Sequence, residues 1–518
     1  MKKRYFSLLL AAVLAFSLMA VGCGDKTPDG SDPASNPDSS QTDNSTTSSS
    51  AADPTGDATD DSTTTGTDTT TSGDKATLGT GNIFGTTTGK TTTGKTTTKT
   101  TGKTTAATQK TNFTTDEEKM YSAAKKYLGN LIDTKKVDGQ TVTILSGTTF
   151  AQEDVLLNAF NVKIEYTQVD SVINRYITRV DSGDSPDMLW YDMNSALIVK
   201  GYVQAWDKYI DFKDKMYSDI TGQLDLFKMG GRHYFVHSGG GTQQILLFHT
   251  EAFKEISEKN PYELMLEGKW DWDTLKKLMK KLSKDENNDG KLEQYPLGEI
   301  SNNAFIYATG SDYITFKNGQ PVNMLSTPEI SRAVNTHTEL IQKHNLRAHY
   351  NDIIPDFESG KLAMVIGERW QLLANYMDEF DAGKIGWCYA PKDPEADAHY
   401  VANETPGFYL SKGAQHPEAA AAWMMVERWS AWDKEAVKLS RRIAQKDGRG
   451  LSDKYWEVYD NLNKIIKPTQ LTWAWMNIAT VMSEINDRSL AGESWSKIQA
   501  ECSPKIDAQI KLFKKNLG

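Results

Sequence analysis

Three short stretches of the sequence gather indole rings with polar neighbours: Trp190 with Asp192, Trp370 with Glu368 and Arg369, and Trp473 with Trp475. A sugar ring presents C–H faces that pack on an indole, while its hydroxyls require carboxylates, amides or guanidinium groups in the ring plane. These combinations therefore suit capture of a carbohydrate rather than bond cleavage. Each indole also has a packing alternative. Trp270 and Trp272 are read as packing the helix that Asp271 is placed to cap, and Trp423, Trp429, Trp432 and Trp495 fall in helical patterns and are read as core. Signatures of catalysis are thin. No G-x-S-x-G, G-x-x-x-x-G-K-[ST] or H-E-x-x-H accompanies the run His237-Ser238-Gly239-Gly240-Gly241. His233 and His237 lie four apart in a hairpin-like stretch and need not face one site, so zinc is not assigned.

One stretch has metal-ligand spacing. Asp285, Asn287 and Asp289 stand at positions 1, 3 and 5 of a calcium-type loop, Gly290 at 6, the Lys291 carbonyl at 7 and Glu293 at 9. Position 12 is Pro296 instead of a bidentate glutamate. Two readings stand: a structural calcium, or a polar helix-to-strand turn. Cys388 and Cys502 likewise have two readings, one disulfide or two buried thiols.

The elements that must hold these residues follow from periodicity. Leu275, Leu278, Met279 and Leu282 mark one face of a helix, Asp271 is placed to cap it, and Lys276, Lys277, Lys280 and Lys281 face water. Upstream, a helix begins near Thr115, and strands are expected at Thr141–Leu145, Val162–Tyr166 and Asp187–Asp192. Helices Glu153–Phe160 and Val172–Ser182 alternate with them, which predicts an α/β fold with a parallel sheet. Ligands of such sheets sit at the carboxyl ends of the strands. Ser146 and Thr148, on the rim after the first strand, thereby join Trp190 and Asp192 as candidates.

All 13 tryptophans lie at or after Trp190, and residues 25–112 carry almost no large apolar side chain. The core is therefore confined to 113–518, and 23–112, rich in Thr, Ser, Gly and Lys, is expected to be a disordered tether. Residues 1–22 read as an export signal, with Lys2, Lys3 and Arg4 ahead of an apolar run too short to be a convincing span. Cys23, after Ala20-Val21-Gly22, is read as the lipidated residue of a lipoprotein anchored on the outer face of the cell membrane. A net charge of -10 argues against a general nucleic-acid binder.

The run Gly268-Lys269-Trp270-Asp271-Trp272-Asp273 through Asp289-Gly290-Lys291 resembles the family 1 extracellular solute-binding proteins, the sugar-capturing subunits of bacterial ABC importers. Other segments are similar to the family in the same order: Gly201 to Tyr209, Arg232 to Ser238, Ile245 to Phe253, Asp356 to Met364 followed by Trp370, His416 to Ala420, and Gly492 to Trp495. The family's P-x-R loop is missing, and Leu439-Ser440-Arg441-Arg442 stands in its place. The resemblance implies two α/β lobes around a hinged cleft, a monomer, no required cofactor, a carbohydrate ligand and permease partners. It favours Trp370 as a ligand contact and adds His237, in the hairpin segment, to the candidates. The alternatives in other classes are a secreted carbohydrate-active enzyme and a surface solute sensor.

Overall fold

The computed structural model describes residues 102–105 and 112–517, apart from short stretches at 148–149, 151, 170, 240–243, 300–302, 318–319, 349–352, 404–405, 449, 471–474 and 477. In the first lobe, Thr141–Ser146 pairs in parallel with Lys163–Gln168 on one side and Met188–Tyr191 on the other. Val142, Ile144, Ile164 and Tyr166 point into a core shared with helices Thr115–Leu128, Glu153–Phe160 and Pro417–Trp432. Each aliphatic side chain so buried contributes about 1.5–3 kcal/mol.

The sheet is not purely parallel. Gly407–Ser411 returns from far along the chain, antiparallel to Met188–Tyr191, and also pairs with Val203–Gln204 and Phe235–Val236. At the opposite edge, Gly102–Thr105 pairs antiparallel with Lys163–Gln168. A piece of the stretch expected as tether thus supplies an edge strand, where threonine favours the extended backbone and pairing satisfies open edge groups.

The second lobe holds a five-stranded sheet ordered Leu346–Ala348, Tyr295–Glu299, Leu362–Glu368, Gln244–His249, Ile385–Cys388. The first three are parallel; Gln244–His249 runs against them, and Ile385–Cys388, antiparallel to Gln244–His249, runs with them again. Helix Trp272–Leu282 starts where the sequence places it: Asp271 Oδ1 accepts from the Thr274 amide at 2.8 Å. Trp270, Trp272, Leu275, Leu278, Met279 and Leu282 are buried, and the Trp270 indole donates to the Tyr389 carbonyl at 2.9 Å. Cys388 and Cys502 are separate buried thiols.

The chain passes between the lobes several times. It leaves the first sheet after Val236 and enters the second at Gln244, then returns from Cys388 to Gly407 through strand His399–Asn403. That strand pairs in parallel with Ile466–Gln470. A further passage joins helix Lys434–Lys446, whose Ala436 and Leu439 lie in the first core, to helix Asp453–Asn463, which packs on the second lobe through Tyr455 against Phe380 and Trp387. Such connections permit hinge motion of two otherwise rigid bodies. Among the described residues no helix is long and apolar enough to cross a membrane.

Candidate functional site

Both sheets end their parallel strands at an edge where the candidate residues gather. On the first lobe, Trp190 and Tyr191 are half-buried and Asp192 is exposed. Trp190 meets Phe150 edge-on at 5.6 Å between centroids, which leaves its ring only partly covered. Tyr409 Oη fixes the turn beyond it, donating to the Asp192 carbonyl at 2.9 Å and accepting from the Asn194 amide at 2.7 Å. Gly407 stands opposite Tyr191 in register, and an added Cβ there would lie 2.6 Å from the Phe235 ring and 2.7 Å from the Val236 carbonyl. The close approach of these backbones at the lip therefore requires glycine. No spacing signal in the sequence marks this position.

On the second lobe, strand Leu362–Glu368 delivers Glu368 to the edge opposite Gln244, and Trp370 follows in the first turn of helix Arg369–Asn375. The Trp370 indole donates to Glu368 Oε2, so the ring and the carboxylate are held as a unit. Trp370 is half-buried, Arg369 is buried, and the Arg369 guanidinium lies 5.4 Å from the Tyr459 ring centroid.

The two lips sense each other electrostatically. Burial raises the Glu368 carboxyl above the ordinary range, the Trp370 hydrogen bond opposes this, and the negative charge of Asp192 raises it further. Asp192 is open to solvent yet hemmed in by protein, and loss of hydration raises its carboxyl too. Asp192 of the first lobe thus lies near enough to Glu368 of the second for its charge to bear on that carboxyl.

Other candidates are placed differently. His237 is buried; its Nδ1 accepts from the Gly239 amide at 3.2 Å, and burial, aided by the nearby Arg428 cation, pushes its pKa down to about 4. It is a neutral imidazole near neutral pH. Ser146 is fully buried. Trp475 is also fully buried, its ring among Phe227 and Phe235 and its carbonyl accepting from Ser195 at 2.5 Å, so its faces are occupied by protein. Thr148, Trp473 and Cys23 lie outside the described residues. A hollow of about 680 Å³ on the first lobe, lined by Phe212, Asp225 and His233 among others, includes none of the lip residues.

The matching family model is that of the bacterial extracellular solute-binding proteins, and it spans residues 145–425. The chain belongs to this family. Solved structures share the fold of this solute-binding protein. The GacH receptor of Streptomyces glaucescens, solved unliganded and with acarbose, is 15% identical, with 72% of this chain and 98% of that chain covered and a TM-score of 0.50. An ABC substrate-binding protein from Listeria monocytogenes in complex with cycloalternan is 16% identical, with 72% and 100% covered and a TM-score of 0.51. No curated protein matches the sequence. The family is one of binders, and this solute-binding protein is not an enzyme.

The acidic loop lies apart in sequence from the lip residues. Ligand oxygens of Asp285, Asp289 and Glu293 come within 4.8 Å of one another, a donor set able to hold a metal ion. Asp285 accepts from the Asp289 and Gly290 amides, and Asn287 Nδ2 donates to Asp289 and to Glu293 at 2.9 Å. Gly290 has φ 83°, the left-handed turn the sequence anticipates.

Proposed function

We propose that this solute-binding protein captures a carbohydrate, an oligosaccharide, between its lobes and delivers it to the permease of an ABC importer. The observation that carries the reading is the indole–carboxylate pair on each lip: Trp190 with Asp192, and Trp370 bonded to Glu368. Two aromatic faces can sandwich sugar rings while the carboxylates accept from hydroxyls. A ligand that touches both lips favours the closed arrangement, which is the form a permease can distinguish from the empty one. The fold shared with proteins solved with acarbose and cycloalternan supports this class of ligand.

The test is calorimetric titration with a panel of neutral oligosaccharides that includes maltotriose, mannobiose and cycloalternan. For the sugar that binds, Trp370→Ala should weaken affinity by about 2–4 kcal/mol, as for an interface hot spot. Trp370→Phe should recover part of it. Unchanged affinity together with a large loss of unliganded stability would remove Trp370 from the site.

The tethered mode of action rests on Cys23. A lipid on its thiol would hold the lobes at the outer membrane face, with the intervening residues as a spacer. Cys23→Ser should move the protein from the membrane to the soluble fraction with ligand affinity intact; retention in the membrane would refute the anchor. We propose further that, if the acidic loop holds an ion, it is calcium, bound through the carboxylates of Asp285, Asp289 and Glu293, the Asn287 amide oxygen and the Lys291 carbonyl. Its oxygen donors suit a hard cation. Occupation requires the Asn287 amide to turn its oxygen inward, since its nitrogen now faces Asp289 and Glu293.

A further inference from the structure

Where the family's P-x-R loop is missing, the sequence places Arg441 on helix Lys434–Lys446. That helix belongs to the first lobe: Ala436 and Leu439 lie in its core, and Arg442 and Lys446 pair with Asp116 of helix Thr115–Leu128. Arg441 itself reaches the other lobe. Its guanidinium makes a two-pronged bond to Asp460, Nη1 to Oδ2 at 2.7 Å and Nη2 to Oδ1 at 2.9 Å, and lies 3.9 Å from the centroid of the Trp456 ring. One turn further on, Gln445 Nε2 donates to Asp453 at 2.9 Å, so a single face of the first-lobe helix meets helix Asp453–Asn463.

The gripped helix stands directly behind the second lip. Its Tyr459 packs under the Arg369 guanidinium, and Arg369 is flanked in sequence by Glu368 and Trp370. Its Tyr455 stacks on Trp387 of the second sheet, with centroids 5.8 Å apart and planes 25° apart. A planar fork that bonds a carboxylate at two points while stacking on an indole fixes distance and angle together, which a lysine cannot do. We propose that Arg441 is a positioning residue for ligand capture: by gripping Trp456 and Asp460 across the lobes, it sets how far the Glu368–Trp370 lip stands from the Trp190–Asp192 lip. The assignment of those lips as the sugar site is the reading given above; the grip between lobes does not depend on it.

The experiment needs no ligand. In the full chain carrying Cys23→Ser, spin labels are placed at Lys135→Cys on the first lobe and Lys280→Cys on the second, both exposed, with Cys388 and Cys502 shielded by burial. Interlobe distances are then read by pulsed electron resonance. Arg441→Met should move the main distance peak or add a second one. Arg441→Lys and Asp460→Asn should do so to a smaller degree, since each keeps part of the contact. If Arg441→Met does not fold, these two conservative variants decide the matter. A distance distribution identical to that of the parent in the folded variants, whatever the melting temperature, overturns the proposal. Because no sugar is present, failure of the carbohydrate reading would show in the titrations and not here.

Discussion

At the scale of single residues, burial decides charge. His237, His249 and His399 are all held below the ordinary histidine value by loss of hydration, His237 and His399 down to about 4. The unfolded chain would take up protons near 6.5, so between about 6.5 and 4 it binds more protons than the folded protein, and acid favours unfolding. For His237 alone the loss between pH 7 and pH 5 is on the order of 1–2 kcal/mol. Urea unfolding at these two pH values should show His237→Gln losing less stability than the parent; equal losses would mean that the imidazole is charged in the folded state. Glu368 and Asp192 work in the opposite sense: their raised carboxyls bind protons more tightly in the fold, which offsets part of the acid loss just above the usual carboxylate range. The strand-end positions of Trp190 and Trp370 were legible because Trp190 falls at the end of strand Met188–Tyr191 and Trp370 just after strand Leu362–Glu368. The enclosure of Trp475 was not, since its partners Ser195, Phe227 and Phe235 are brought to it from far along the chain.

At the scale of elements, local signals carried well. Helix Trp272–Leu282 starts at the expected cap because Asp271 accepts the free Thr274 amide, and its buried face follows the apolar repeat. Strands paired over long separations left no such trace. Gly407–Ser411 inserts antiparallel into a sheet whose other members suggested only parallel order, and nothing near it in sequence marks the partner. The loop after the capped helix was legible as a turn through Asp285 and Gly290, and its donor set is one able to hold a metal ion. If calcium occupies it, adding the ion after chelation should raise the melting temperature in a saturable way, and Asp289→Asn should abolish most of the rise. Magnesium should do less, because its stricter octahedral shell fits a flexible loop of this kind poorly. No response to calcium would leave the loop as a hydrogen-bonded turn.

At the scale of the whole molecule, the lobes are not independent beads. Strands and helices pass between them, and the first sheet is completed by Gly407–Ser411, which follows the second sheet in the chain. A ligand held by lips from both lobes must therefore stabilise both, whereas a ligand resting on one lobe need stabilise only that one. Scanning calorimetry separates these cases. At an oligosaccharide concentration near one hundred times the dissociation constant, mass action adds about 2.7 kcal/mol to the folded state. If the site is the cleft, all unfolding transitions should rise together, and any two resolved without ligand should draw closer or merge, since neither lobe can unfold without releasing the sugar. With Trp370→Ala the same concentration should produce a much smaller shift, because the occupancy of the weakened site falls. A ligand that raises one transition and leaves a second where it was would place the sugar on a single lobe and refute capture between the lips.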